Sequence, residues 1–386
     1  MRQALFRLAL VIGPFLALGL LSPAHATVAT ADPCKARGGT KWSTLTVMPV
    51  DSIAAALACA APGPVKIVAS PGHYEQVFNV DGAAGITSFE LAGAGAGQTV
   101  FDGRGGCSVA ANNQGSGGPC KTRLAWGNGV IRVAVPASIH DLEVTGGGTN
   151  ATDGHDLQAG LYVATPSGQV TARRVMFRRN QNGLACNGGL LTGGTDVLVD
   201  QSDFTLNSVD GGSHDTYCSG KGSFTITNSH AYGALFGNVY KTRMAKVTIR
   251  GGYIRSSDPS SPRTGGRFVD AADGAVLTVN GVTLVGNSCC GPHLGNGEES
   301  TSSGVPRTTI QGGVLYLATP ADFQSPGPIV FSGVKQLWGK SGRGTGHLTN
   351  PLGGAITGAV LSGSGTDQVP VLANAGLCSV QAWGGS

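Results

Sequence analysis

Charge is scarce in this chain: Asp, Glu, Lys and Arg make up 12% of its 386 residues, and aromatic residues only 6%. Few long helix-forming runs exist outside the N-terminus, which excludes a helical fold. The 63 glycines follow no Gly-X-Y period, so the chain is not collagen-like. No nucleotide-binding glycine motif is visible. No CxxC pair with partner histidines exists, which argues against a zinc site. Beyond the N-terminal run, no stretch approaches the length of a membrane-crossing helix.

What the chain does have is Gly, Val, Thr, Ala, Ser and Asn, arranged in many short β-type segments bounded by turn residues. Pieces such as SFTITNS, KVTIRGG and AVLTVNG recur at spacings of about 22 to 30 residues, the range of a solenoid repeat. Asn-Gly turns at Asn182-Gly183, Asn187-Gly188, Asn280-Gly281 and Asn296-Gly297 suit a hairpin sandwich equally well. The decision rests on stacked coils. Ser213 set against Gly237 brings His214 over Asn238, Thr216 over Tyr240 and Tyr217 over Lys241, and GGRFVDAADG places Asp270 over Lys241. Residues i and i+2 of a strand share a face, so Lys241 and Arg243 point the same way. With coils about 4.8 Å apart, Tyr217, Lys241, Arg243 and Asp270 form one patch.

The N-terminus reads as a secretory signal peptide over residues 1–26. Arg2 and Arg7 supply the positive region, Leu8 to Leu21 the apolar run, and Ala24-His25-Ala26 the cleavage site. A secreted or periplasmic protein with no membrane span is expected. Residues 27–50 form a leader, 51–325 the β-helix with its N-terminal cap, and 326–386 a C-terminal cap or irregular Gly-rich arm. The cap is a short helix over IAAALACAA, started by Asp51-Ser52 and stopped by Pro62-Gly63-Pro64. Export makes the nine cysteines disulfide candidates. Cys34–Cys59 and Cys107–Cys120 close local loops. Cys186 and Cys218 are either bonded or stacked, and Cys289, Cys290 and Cys378 leave an odd thiol.

The net charge of +4 is modest, but the positive residues cluster: Arg173, Arg174, Arg178 and Arg179, then Lys241, Arg243, Lys246, Arg250 and Arg255. In an exported monomer a basic face fits acidic polysaccharide better than nucleic acid.

The run from Asn180 to Asp270 resembles exported bacterial right-handed parallel β-helix proteins of the pectin-lyase-like superfamily. The resemblance rests on Asn180-Gln181-Asn182-Gly183 for an NxNG turn and His214-Asp215-Thr216-Tyr217 for an HNxY-like segment. Gly237 to Arg243 stands for a GHxxKSR-like segment. Asp215 replaces a usual Asn, and Asn238 a usual His. The implied fold is all-β, a right-handed parallel β-helix with a short N-terminal capping helix.

The implied activity is β-elimination on an acidic, uronate-containing polysaccharide. Removing the proton beside a uronate carboxylate makes an enolate-like dianion, which needs positive charge already in place. Arg243 would neutralise the carboxylate. Lys241, its pKa lowered by that guanidinium, would be the base. Tyr217 would protonate the leaving oxygen or act as base itself. His214 would join through a bend at the turn. Asp270, Arg267, Asn182 and Asn238 are the substrate-binding candidates. A glycoside hydrolase or epimerase on the same fold is one alternative, drawing on Asp196, Asp200, Asp203, Asp210, Asp215 or Asp270, although NTD, DD and GHG motifs are absent. A non-catalytic glycan-binding or surface-structural β-helix is the other. Glu298 and Glu299, in GNGEES, are the best extra carboxylates, although an exposed loop explains them. No cofactor is required; calcium could be held through Asp153, Asp156 and nearby carbonyls, but no calcium-loop spacing is present.

Overall fold

The computed structural model describes residues 42–363 except 83–84, 104–128, 151–154, 157–158, 187–193, 209–212, 233, 235–236, 256–265, 287–293, 300–305, 318–320, 339–347, 350–351 and 359. The expected signal peptide, Cys34, Cys107, Cys120, Asp153, Asp210, Cys289, Cys290 and Cys378 lie outside the described residues, as does the Asp156 side chain.

The fold is the expected all-β right-handed parallel β-helix with one short helix at its N-terminal end. A 21-stranded sheet folds around a corner, and a 10-stranded sheet closes the coil. One short antiparallel pair, Thr149–Asn150 with His155–Asp156, stands apart; every other ladder among the described residues is parallel.

Alternation in sequence becomes inside and outside in the coil. Lys246–Arg250, Val276–Asn280 and Arg307–Gln311 share one pattern, in which the second and fourth residues are buried. Stacking aligns like residues, as in the buried column Val199, Ile226, Ile249, Val279 and Ile310. Burying each such side chain contributes roughly 1.5–3 kcal/mol relative to exposure. Phe177 and Phe204 stack their rings 4.9 Å apart on neighbouring coils.

The corner of the long sheet is a column of left-handed residues. Asp141, Arg174, Gln201 and Asn228 hold φ between 48° and 58°, and later coils use Gly251, Gly281, Gly312 and Gly333. An L side chain is strained in that region and glycine is not. At the next turn, where the chain leaves the long sheet for the 10-stranded one, Asn180 and Asn207 stack in the interior, and their amides satisfy backbone groups of neighbouring coils.

The helix Ile53–Ala58 starts at Ser52, whose Oγ accepts the Ala55 N–H at 3.2 Å. It buries Ile53, Ala56 and Leu57 against the first coils, as a cap must to cover their apolar end. Strand pairing begins before residue 51: Thr44–Val47 pairs with Gly63–Ala69. It also runs past residue 325, where Ile329–Ser332 and Val334–Trp338 continue the long sheet up to Gly363. Cys186 and Cys218 are bonded in the interior, and Cys59 is also disulfide-bonded. No helix among the described residues is long and apolar enough to cross a membrane.

Candidate active site

Outward positions of the 10-stranded sheet stack Ala185, Tyr217, Lys241, Asp270, Gly295 and Gln324 in one register column. This is the alignment expected from the repeated polar clusters. All eight expected site residues fall in or against the column, and hydrogen bonds link them.

The Asn182 side chain accepts the His214 N–H at 2.9 Å, and His214 Nδ1 accepts the Asn238 N–H at 3.0 Å. That second bond puts the proton of a neutral His214 ring on Nε2. The turn bends His214 in, and its ring centre lies 5.7 Å from that of Tyr217. Asn238 accepts the Arg267 N–H at 3.0 Å and donates its side-chain amide to Asp270. Asp270 is only 1% exposed and faces two cations, with Lys241 Nζ at 3.2 Å and Arg267 Nη1 at 2.9 Å. Arg243 Nε donates to the Tyr217 hydroxyl at 3.3 Å and pairs with Asp273 and Glu299.

The two extra carboxylates that an exposed loop would explain, Glu298 and Glu299, belong to this network. Lys241 Nζ lies 2.7 Å from Glu299, and Arg267 pairs with Glu298, which is 11% exposed. They follow the strand Leu294–Asn296, and backbone bonds from Gly297 to Ala271 and Glu299 to Ala272 fold them back over the coil below. Gly295 makes the room. A Cβ there would lie 2.5 Å from Glu298 Oε2 and 2.8 Å from Arg267 Nη1. The signal in sequence was Gly295 in register with Asp270, three residues before Glu298.

Electrostatics corrects one expected role. Burial acts to lower the Lys241 pKa, but Asp270 and Glu299 outweigh it and hold it above its usual value. The neighbouring guanidinium does not prepare Lys241 as a base, because carboxylates from two other coils lie 3.2 Å and 2.7 Å from its Nζ and favour its charged form. Burial and the adjacent Asp270 push Glu298 up to about 8, against the pull of Arg267. A hydrogen bond between the two carboxyls adds to this, because it is made by the protonated form of Glu298 to the charged form of Asp270. Burial opposes the charge on Asp270 and Glu299 too, yet both are lowered: Asp270 by Glu298, Lys241 and Arg267, Glu299 by Lys241 and Arg243.

Asp270, Glu298 and Glu299 place carboxylate oxygens within 4.8 Å of one another, a donor set of the kind that holds a cation. Lys241, Arg243 and Arg267 already neutralise them, so the chain supplies its own counter-charge. Of the other carboxylates weighed for hydrolysis, Asp196, Asp200 and Asp203 lie on the long sheet. Asp215 points into the core, fully buried. A cavity of about 470 Å³ lies on the long sheet near the N-terminal coils, lined by Lys66, Glu90, Ser138 and Thr171, and shares no residue with this network.

No family model, curated protein or solved structure matches this chain. Function is therefore read from the chemistry of the site.

Proposed function

We propose that this chain cleaves glycosidic bonds of a polysaccharide, with Glu298 as proton donor and Glu299 as nucleophile. The supporting observation is the split between two neighbouring carboxyls, one raised to about 8 and the other held low. Environments that push two such groups apart assign acid and base roles. Their oxygens lie within 4.8 Å, on the short side of the range, where the second carboxylate attacks carbon directly.

Glu298 gives its proton to the glycosidic oxygen as that bond breaks, and Glu299 bonds to the anomeric carbon. Water then displaces Glu299, and Glu298 takes the water's proton, which restores both groups. Lys241 and Arg243 keep Glu299 ionised between turnovers. An extended polymer suits the outer face of stacked strands, and an exported protein would meet such polymers outside the cell.

A second reading, β-elimination on an acidic polysaccharide, is favoured by Tyr217. Its hydroxyl is held by Arg243 and its ring lies beside His214. Tyr217 would then move the proton, with Arg243 and Arg267 facing the uronate carboxylate. One assay separates the two: purified protein is offered neutral and acidic polysaccharides while new reducing ends and the ultraviolet absorbance of unsaturated uronates are followed. Reducing ends without absorbance support hydrolysis, both together support elimination, and neither across the panel overturns both.

A further inference from the structure

The positive charge that the candidate site uses up internally is left open elsewhere. Four consecutive strands of the long sheet, Ser223–Thr227, Lys246–Arg250, Val276–Asn280 and Arg307–Gln311, pair residue for residue without a shift. Their outward residues form three columns. The central one is Thr225, Thr248, Thr278 and Thr309, and these hydroxyls recur at about 4.8 Å, the spacing of neighbouring strands. One flank carries Lys246 and Arg307 with the exposed Val276 between them, the other Arg250 with the amides of Asn280 and Gln311. Lys246, Arg250, Asn280, Arg307 and Gln311 are exposed, and no outward position on these strands is acidic. Lys246 feels Asp196 two coils away, while Arg250 and Arg307 have no acidic partner among the described residues.

We propose that this face binds a polyanionic glycan chain laid along the solenoid axis. The cations match carboxylate or sulfate groups, and guanidinium forks pair with such oxyanions in two-point contact. The threonine ladder and the flanking amides match sugar hydroxyls, and they repeat along the direction in which a polymer repeats. Single-stranded nucleic acid fits less well, because its binding relies on aromatic side chains that stack bases, and these strands present none outward; a duplex, bound through its phosphates, is the competitor that the test includes. Binding here does not depend on the carboxyl chemistry of the other sheet, so either proposal can fail alone.

The test uses the full chain carrying Glu298→Gln, so that bound polymer stays intact, and titration calorimetry at low and raised salt. The probes are a polyuronate, a neutral glucan and a DNA duplex. The polyuronate is expected to bind best and to weaken as salt rises. Combining Lys246→Ala, Arg250→Ala and Arg307→Ala should weaken it by about tenfold or more. Thr248→Val with Thr278→Val, which keeps shape but removes two hydroxyls, should weaken it by about threefold or more. Circular dichroism checks the fold, and the single Arg250→Ala and Arg307→Ala variants replace the triple one if it unfolds. Unchanged polyuronate affinity in the basic-residue variants overturns the proposal. So does a DNA duplex bound as tightly, or no polyuronate binding at all.

Discussion

Glu298 and Glu299 are consecutive in the chain, yet their carboxyls sit in opposite electrostatic surroundings: one pressed against buried Asp270, the other held between Lys241 and Arg243. Glu298→Gln preserves shape and removes the proton. It should lower kcat by about two to four orders of magnitude, with a smaller effect on KM. In the unaltered protein, activity should fall as pH rises through about 8, where Glu298 loses its proton. A reducing-end assay across that range checks both, and a variant with that same alkaline fall would remove Glu298 from the acid role.

Lys241 acts in this scheme by holding charge on its neighbours. Without its ammonium, the Glu299 carboxyl keeps Arg243 but loses its other partner, and burial pulls its pKa up. Lys241→Ala should therefore move the acidic side of the pH–activity curve upward, and Lys241→Arg should restore much of it. If Lys241 were the base of an elimination, its loss would abolish turnover at every pH, with no such displacement.

Gly295 tests whether the folded-back turn is required. An added methyl would collide with Glu298 and Arg267, both on side chains that can swing away. Gly295→Ala should leave the thermal unfolding temperature within a few degrees, because the clash is with the far ends of long side chains and not with backbone. It should also free Glu298 from Asp270, lower its pKa and move the alkaline fall in activity to lower pH.

The column Tyr217, Lys241, Asp270 was legible because similar polar clusters recur one coil apart, and parallel stacking turns sequence repetition into contact. The capping helix was legible from Ser52 and an alanine-rich run. Glu298 and Glu299 were not, since a glycine-rich acidic segment looks the same whether it is solvated or folded back. What decides is a space above Asp270, created by a missing side chain at Gly295. The Lys241 titration departs from the sequence expectation for a related reason. Arg243 is its neighbour in sequence, while Asp270 and Glu299 become its neighbours only when coils stack. The long sheet's basic face was hidden in the same way: Lys241, Arg243, Lys246 and Arg250 look like one cluster in sequence, but the coil sends them to two different sheets.

The left-handed corner offers a test of the fold itself. Gln201 sits there with φ 49°, exposed, where later coils carry glycine. Gln201→Gly removes the side-chain strain of about 1 kcal/mol, offset partly by the greater freedom of glycine in the unfolded chain. A small gain in thermal stability is expected, and a loss would mean that the Gln201 side chain makes contacts that outweigh its strain.

Asp215 places a carboxyl wholly in the interior. Burial raises its pKa from 3.8 to about 7, against one hydrogen bond from Asn207. Its Oδ2 and the Tyr240 hydroxyl are both buried without a partner. Between those two pKa values the folded chain binds a proton that the unfolded chain has released. Stability from this residue is therefore complete below about pH 4, declines as pH rises toward about 7, and is lost above it. Asp215→Asn keeps the shape and the Asn207 bond but never ionises. Its thermal stability should match the unaltered protein near pH 4 and exceed it increasingly up to pH 7, by an amount on the order of a few kcal/mol. Unfolding curves at several pH values decide it: a constant difference between the two proteins would mean that Asp215 stays charged in the core, compensated by a group that Asn cannot engage.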